Sequence, residues 1–226
     1  MDRRFAERAL EPRYGFPEAA RIVGKPAETI RRWSVGHSRK YQGKPATDKP
    51  LILIDGDRNR LPLSFLNLIE LRFLAGYREA ASLPAIRAAL DYAARELEVD
   101  RPLLEMEFKA HGRELFLRFA KNDPYFLSAT REGQFAWPAE AENLVASLDY
   151  DAQEHAAYRW WPLGKRTPVL LDTRLNAGRP STAESGVRTI AIATRASKGW
   201  EPADIADDVA ATVEEVQAAL QLEAVA

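Results

Sequence analysis

The sequence predicts an α+β chain that is mainly α and is built in three parts. Three observations carry this. Residues 14–36 hold two short helical patterns around a glycine turn. Residues from about 103 to 172 replace helical spacing with apolar–polar alternation. From Thr189 onward three short helical patterns follow one another.

Charge is unevenly spread along the 226 residues. The formal net charge is -1, with 29% charged and 46% hydrophobic residues, an ordinary globular composition. Residues 1–63 hold 14 Lys/Arg against 8 Asp/Glu, whereas 186–226 hold 3 against 7. A basic beginning and an acidic end fit nucleic-acid contact at one end only. There is no cysteine, which excludes disulfides and thiolate zinc sites. His37, His111 and His155 lie far apart without ligand spacing, so no metal or cofactor is expected. No nucleophile, base and orienting residue cluster, and no phosphate-binding glycine loop occurs, so an enzyme is not expected. No apolar run approaches the ~20 residues that span a bilayer. The N-terminus lacks the apolar stretch of a signal peptide, and a cytoplasmic location is the expectation.

Residues 1–13 read as a charged helix or arm. In the stretch YGFPEAARIVGKPAETIRRWSVG, Pro17 suits the first turn of a helix, where its missing N–H has no partner to lose. Ala19, Ala20, Ile22 and Val23 give that helix an apolar face, and Gly24 ends it. Pro26 opens a second helix with Ile30 and Trp33 inward and Glu28, Arg31 and Arg32 outward. Such a pair presents an arginine-bearing helix to a DNA major groove. Residues 34–50 have no helical period. With Leu51 to Ile54 and the turn Asp55-Gly56-Asp57, they form an enlarged wing over 34–62. Arg39, Lys40, Lys44 and Lys49 would approach phosphates from it. The expectation is a winged helix-turn-helix at the N-terminus.

Ser64 caps the helix SFLNLIELRFLAGYREA, which is too apolar for the surface and should be the buried centre. LPAIRAALDYAAREL follows, with Ile86, Ala89, Leu90, Ala93 and Leu97 on one face. Asp100-Arg101-Pro102 ends it. Leu104 to Phe119 then reads as a β-hairpin, with short extended pieces at Tyr125 to Ser128 and Gly133 to Pro138. Asn143 to Asp149 fits helix or strand. HAAYRWWPLG and PVLLD read as strands, whose Tyr158, Trp160 and Trp161 either fill a sheet core or line a ligand pocket. From Asp172 to Thr189 the chain reads as a basic loop. Helical patterns at Thr189 to Ser197, Glu201 to Asp208 and after Thr212 close the sequence, and Glu215 completes a capping box with Thr212. Ile190, Ile192, Ile205, Val209, Val213, Val216 and Leu220 would make one small core. The parts divide as 1–99, 100–172 and 173–226, the last a trihelical helix-turn-helix-like module.

Residues 14–98 resemble the MerR-type winged helix-turn-helix through Ala20, Gly24, Thr29, Ile30, Arg31, Trp33, Gly36 and the "LP.IR.AL" segment. The tail resembles the trihelical module named domain of unknown function four-three-three. The match runs through Gly178 to Pro180, Gly186-Val187-Arg188-Thr189, Gly199, Ile205-Ala206 and Val216 to Glu223. In order, these parts resemble the larger VapB-type antitoxins. That resemblance implies an antitoxin that neutralises a PIN-type ribonuclease toxin and represses its own operon as a homodimer on operator DNA. DNA contacts are expected from Thr29, Arg31, Arg32, Arg39, Lys40 and Lys44. PIN-type nucleases hold Mg²⁺ with carboxylates, which arginines pair with bidentately. The resemblance therefore implies toxin contacts from Arg174, Arg179, Arg188 and Arg195. The glycine and proline beside it would hold Arg179 on an exposed turn. Residues 1–172 are expected to stay folded without the tail. The alternative is a one-component regulator that senses a small molecule through its aromatic middle.

Overall fold

The computed structural model describes residues 4–41, 44–96, 98, 100–104, 139–152 and 156–225. The described elements are numbered here in chain order. Near the centre lies α4, Phe65–Ala80. Its residues from Phe65 to Leu71 and from Phe73 to Tyr77 are buried. A helix apolar on nearly every side must be enclosed, and four helices do so: α1 (Arg4–Leu10), α2 (Phe16–Val23), α5 (Leu83–Glu96) and α6 (Ala139–Ala146). A 3₁₀ turn at Pro102–Leu104 packs there as well. The start of α4 is fixed by a reciprocal cap. Asn67 N–H donates to Ser64 Oγ (3.2 Å), and Ser64 N–H donates to Asn67 Oδ1 (3.1 Å).

Two polar residues on α4, Asn67 and Glu70, are buried and joined to each other by a 2.9 Å hydrogen bond. Arg101 lies against Glu70 at 3.6 Å and pairs with Asp55, while Ser64 Oγ donates to Asp55. Burial pushes the Glu70 carboxyl up to about 7, against the pull of Arg101 and the Asn67 hydrogen bond.

Between α3 (Ala27–Val35) and α4 an antiparallel hairpin forms from β1 (His37–Tyr41) and β2 (Lys44–Asp48). This gives the expected wing. The expected hairpin from 104 to 119 and the pieces at 125–128 and 133–138 lie outside the described residues, apart from Leu104 in the 3₁₀ turn. Asn143 to Asp149 resolves into both alternatives: α6 ends at Ala146 and β3 spans Leu148–Tyr150. With β4 (Ala157–Trp160), β5 (Val169–Asp172) and β6 (Ser181–Thr182) it forms an antiparallel sheet in chain order.

Strand β6 corrects the expectation of a plain loop between Asp172 and Thr189. Ser181 pairs with Leu170 and Thr182 with Val169. Two residues are too few to show a period of two in sequence. The last three helices are α7 (Thr189–Ala196), α8 (Pro202–Val209) and α9 (Val213–Val225). Thr212 and Glu215 form the expected capping box, with bonds of 3.2 and 3.1 Å. The other Glu215 oxygen accepts from the N–H groups of Glu184 and Ser185 (2.8 and 3.0 Å). Burial opposes ionisation of this carboxyl, but these N–H donors outweigh it and hold its pKa below the usual range.

The main core runs from Ala9 to Leu171. A second gathers Val169, Ile192, Ile205, Ala206, Val216, Ala218, Ala219 and Leu222, with Val209 and Leu220 at its edge. Ile190 and Val213 do not join it; they are 40% and 42% exposed. On α7 the inward face is set by Thr189 and Ile192, and position 190 is turned about 100° from its neighbour.

Candidate nucleic-acid interface

Residues 16–35 form two helices joined by a turn at Gly24, whose backbone is left-handed (φ 71°, ψ 37°). Its N–H donates to Ala20 O at 2.9 Å, which closes α2 as a glycine cap does. Pro26 caps α3, and Ile30 and Trp33 anchor that helix at 0% and 5% exposure. Trp33 O accepts from Leu51 N–H (2.7 Å), so the segment leaving the wing is tied to the end of α3. Gly36 makes the junction possible. It has φ 78°, and a Cβ there would lie 2.4 Å from Asp48 O. Only glycine lets the wing fold back so closely.

This scaffold leaves Glu28, Arg31 and Arg32 exposed and Thr29 partly exposed on one helix. Neither arginine makes a side-chain hydrogen bond or ion pair among the described residues. On the wing, Arg39 stands opposite Ala46, Lys40 opposite Pro45, and Tyr41 opposite Lys44. The structure thus brings Thr29, Arg31, Arg32, Arg39 and Lys40, all expected at DNA, onto α3 and the strand that follows it, β1. Lys44 lies on the paired strand, β2.

The four tail arginines do not form one cluster. Arg174 grips Asp172 through Nε (2.9 Å) and Nη2 (2.7 Å), and its guanidinium lies 4.6 Å from the Tyr158 ring centre. Arg159 also bonds Asp172 at 2.9 Å. Burial works against the Asp172 charge, but the Arg174 and Arg159 hydrogen bonds prevail and hold its carboxyl below the usual range. Arg195 pairs with Asp208 at 2.6 Å. Arg188 stands exposed at the N-cap of α7, with no side-chain bond or ion pair among the described residues.

Arg179 differs from the exposed turn expected of it. Its side chain is 25% exposed and turned toward the helix-turn-helix. It pairs with Glu18 at 3.1 Å and donates to Arg13 O at 3.0 Å. Other bonds cross the same boundary. Arg13 donates to Thr173 O (3.2 Å), Tyr14 Oη to Gly178 O (2.6 Å), and Arg21 pairs with Glu223. Sequence reasoning missed Arg13, Tyr14, Glu18 and Arg21 as a set. No local pattern marks residues whose partners lie more than 150 positions away.

Of Tyr158, Trp160 and Trp161, Trp160 is buried at 2% exposure, and Trp160 and Trp161 line a cleft of about 660 Å³ with Arg72, Leu163 and Lys165. Tyr158 is flanked by the guanidiniums of Arg159 and Arg174. Among the described residues no group of three or more His, Asp or Glu is placed to hold a metal ion. No described helix is long and apolar enough to cross a membrane.

Comparison with known proteins bears on the fold and on the N-terminal helix-turn-helix. The chain is 25% identical over 218 residues to Uncharacterized protein Rv2308 of Mycobacterium tuberculosis (strain ATCC 25618 / H37Rv), covering 92% of this chain and 88% of that protein. Its fold is similar to the crystal structure of Rv2018 from Mycobacterium tuberculosis. The TM-score is 0.68 at 23% identity, over 93% of this chain and 97% of that one. Residues 12–90 match the family described as "Putative DNA-binding HTH domain", and this match supports the helix-turn-helix that α2 and α3 form.

Proposed function

We propose that this protein is a DNA-binding antitoxin. Residues 1–99 bind operator DNA as a homodimer, and 173–226 bind and silence a PIN-type ribonuclease toxin, with 100–172 between them. The observation that carries the DNA part is the pair Arg31 and Arg32, exposed and without a carboxylate partner among the described residues, on a helix anchored by Ile30 and Trp33. The antitoxin part is supported by the second hydrophobic core, in which the three helices of the acidic tail pack together with Val169 of β5. It is supported as well by the resemblance of the tail to a module found in such antitoxins.

A second reading has an observation in its favour. The cleft lined by Trp160 and Trp161 is large enough for a small organic molecule. In that reading the chain is a regulator whose DNA affinity responds to a ligand. Coexpression with the product of the neighbouring gene separates the two. An antitoxin copurifies with that product and suppresses its RNA cleavage. A regulator leaves it unbound and active.

A further inference from the structure

A second cleft, of about 690 Å³, opens beside the recognition helix, between α3, the base of the wing and the first half of α5. Three arginines line it: Arg32 from α3, Arg78 from the last turn of α4 and Arg87 from α5. His37, Asp48 and Asp91 line it too, so three arginines face two carboxylates. Like Arg31 and Arg188, these three have no acid partner among the described residues, and in this they differ from seven other arginines. Arg13, Arg21, Arg101, Arg159, Arg174, Arg179 and Arg195 each pair with an acid. Arg78 bonds only the carbonyl of Ala81, Arg87 only that of Pro50 (3.2 Å), and Arg32 nothing among the described residues.

A carbonyl holds a guanidinium in place without cancelling its charge, and it occupies one of five donors. Arg78 and Arg87 are therefore oriented in advance and keep donors for a further acceptor. An acceptor suited to several guanidinium forks is a phosphate oxygen. The cleft shares Thr29 and Arg32 with the helix expected to enter the major groove. A duplex lying along α3 would bring its sugar–phosphate backbone to this edge.

We propose that this cleft is a phosphate site for the DNA backbone, and that Arg78 and Arg87 are DNA-contact residues outside the helix-turn-helix and wing. The proposal rests on the DNA-binding reading above. It adds α5 to the interface, so the grip spans both sides of the groove edge. The contact reads no base; it fixes register and adds to the salt dependence.

The test is fluorescence anisotropy of the full chain on a duplex taken from upstream of its own gene and on a scrambled duplex, across a salt series. Arg87→Gln should weaken both by a similar factor, roughly three- to tenfold, and lower the salt slope by about 0.9. Arg87→Lys, which keeps the charge, should retain most of the slope. Arg78→Gln should act like Arg87→Gln, with circular dichroism confirming that α4 is intact. Arg31→Ala serves as the reference and should erode the preference for the upstream duplex. If Arg31→Ala weakens binding while both glutamine variants keep parental affinity and slope, the cleft is not a DNA site. If inorganic phosphate binds the parent chain through Arg87 while those DNA slopes stay unchanged, the cleft serves a free anion and the proposal is equally overturned. If the parent chain binds neither duplex, the DNA reading falls, and this site with it.

Discussion

The hydroxyl of Tyr14, just before the helix-turn-helix, donates a 2.6 Å hydrogen bond to the carbonyl of Gly178, 164 residues later. Both residues are buried, Tyr14 fully. Burial also pushes the phenol pKa well up, so the proton that makes this bond stays in place at any ordinary pH. Gly178 has φ 76°, and a Cβ there would stand 2.4 Å from the Tyr14 oxygen. The N-terminal helix-turn-helix part and the tail are therefore fitted to each other at this point. Tyr14→Phe should lower unfolding free energy by about 1–2 kcal/mol, since it leaves a buried carbonyl without its donor. Gly178→Ala meets both the steric clash and the left-handed backbone, and should cost more, roughly 2–4 kcal/mol. Urea unfolding followed by circular dichroism measures both. Equal stability of Gly178→Ala and parent would show that the two parts do not touch in solution.

The same boundary changes what a truncation should do. The basic N-terminal part reads in sequence as self-sufficient. In the structure, deletion of 173–226 removes β6 from the sheet and the acceptors of Arg13 and Tyr14. It also removes Arg179 and Glu223, the partners of Glu18 and Arg21 on α2. Residues 1–172 alone should therefore melt well below the full chain or without a cooperative transition. Arg179→Ala in the full chain should cost about 1–2 kcal/mol, because it breaks a half-buried ion pair and a charged hydrogen bond together. A truncated fragment with the melting temperature of the full chain would refute this docking.

Glu70 sets a pH dependence. Its folded-state pKa of about 7 lies above the ordinary value of 4.5. Between these values the folded chain holds a proton that the unfolded chain has released. Stability is then greatest below about pH 4.5 with respect to this group and falls as pH rises toward 7. Glu70→Gln keeps the shape and the Asn67 hydrogen bond while removing the titration. At pH 8 it should be the more stable form, by roughly 1–3 kcal/mol. Parent and variant should converge at pH 5. Thermal melts across pH 4.5–8 decide this; parallel curves for the two proteins would rule out Glu70 as the source.

What the sequence revealed was local. Pro17, Gly24, Gly36 and the Thr212–Glu215 box announce helix ends because a cap is a matter of three or four neighbouring residues. The apolar density of 65–77 made α4 recognisable as a buried helix for the same reason. The fitted boundary between α2 and the tail left no such trace. Glu18 and Arg21 read as an ordinary solvated helix face, and only the three-dimensional structure supplies Arg179 and Glu223 opposite them. The burial of Glu70 was likewise hidden, because the Arg101 that faces it lies beyond the end of α5.

Helix α3 gives a direct test of the DNA-binding reading. Arg31 and Arg32 are exposed and carry no internal partner among the described residues, so replacing them costs little stability. Arg31→Ala with Arg32→Ala should leave the melting temperature near that of the parent. Affinity for the upstream duplex should drop, and the slope of log affinity against log salt should shrink by up to about 1.8, near 0.9 for each phosphate left without its arginine. Gel-shift titrations at several salt concentrations measure both quantities. Unchanged affinity and slope would place the DNA-binding face elsewhere.

Among the four tail arginines expected to reach a toxin, the structure separates one from the rest. Arg174 is bound to Asp172, Arg179 to Glu18 and Arg195 to Asp208, so each would have to leave an existing acid before meeting a new one. Arg188 has no such cost. It is exposed at the N-cap of α7 and is free of side-chain bonds among the described residues. If an arginine enters a carboxylate cluster on a partner nuclease, Arg188 is the one prepared to do so. Truncating a charge buried across an interface typically costs about 2–5 kcal/mol of binding. On the antitoxin reading proposed above, Arg188→Ala should therefore weaken inhibition of the ribonuclease partner by roughly one and a half to three and a half orders of magnitude (about 1.4 kcal/mol for each tenfold) while leaving the melting temperature unchanged. Arg174→Ala should do the reverse, lowering the melting temperature by leaving Asp172 buried with one partner fewer. RNA-cleavage assays and melts on the two variants give four readings. Full inhibition by Arg188→Ala at parental stability would move the inhibitory contact away from Arg188 and toward the surface of the three-helix tail.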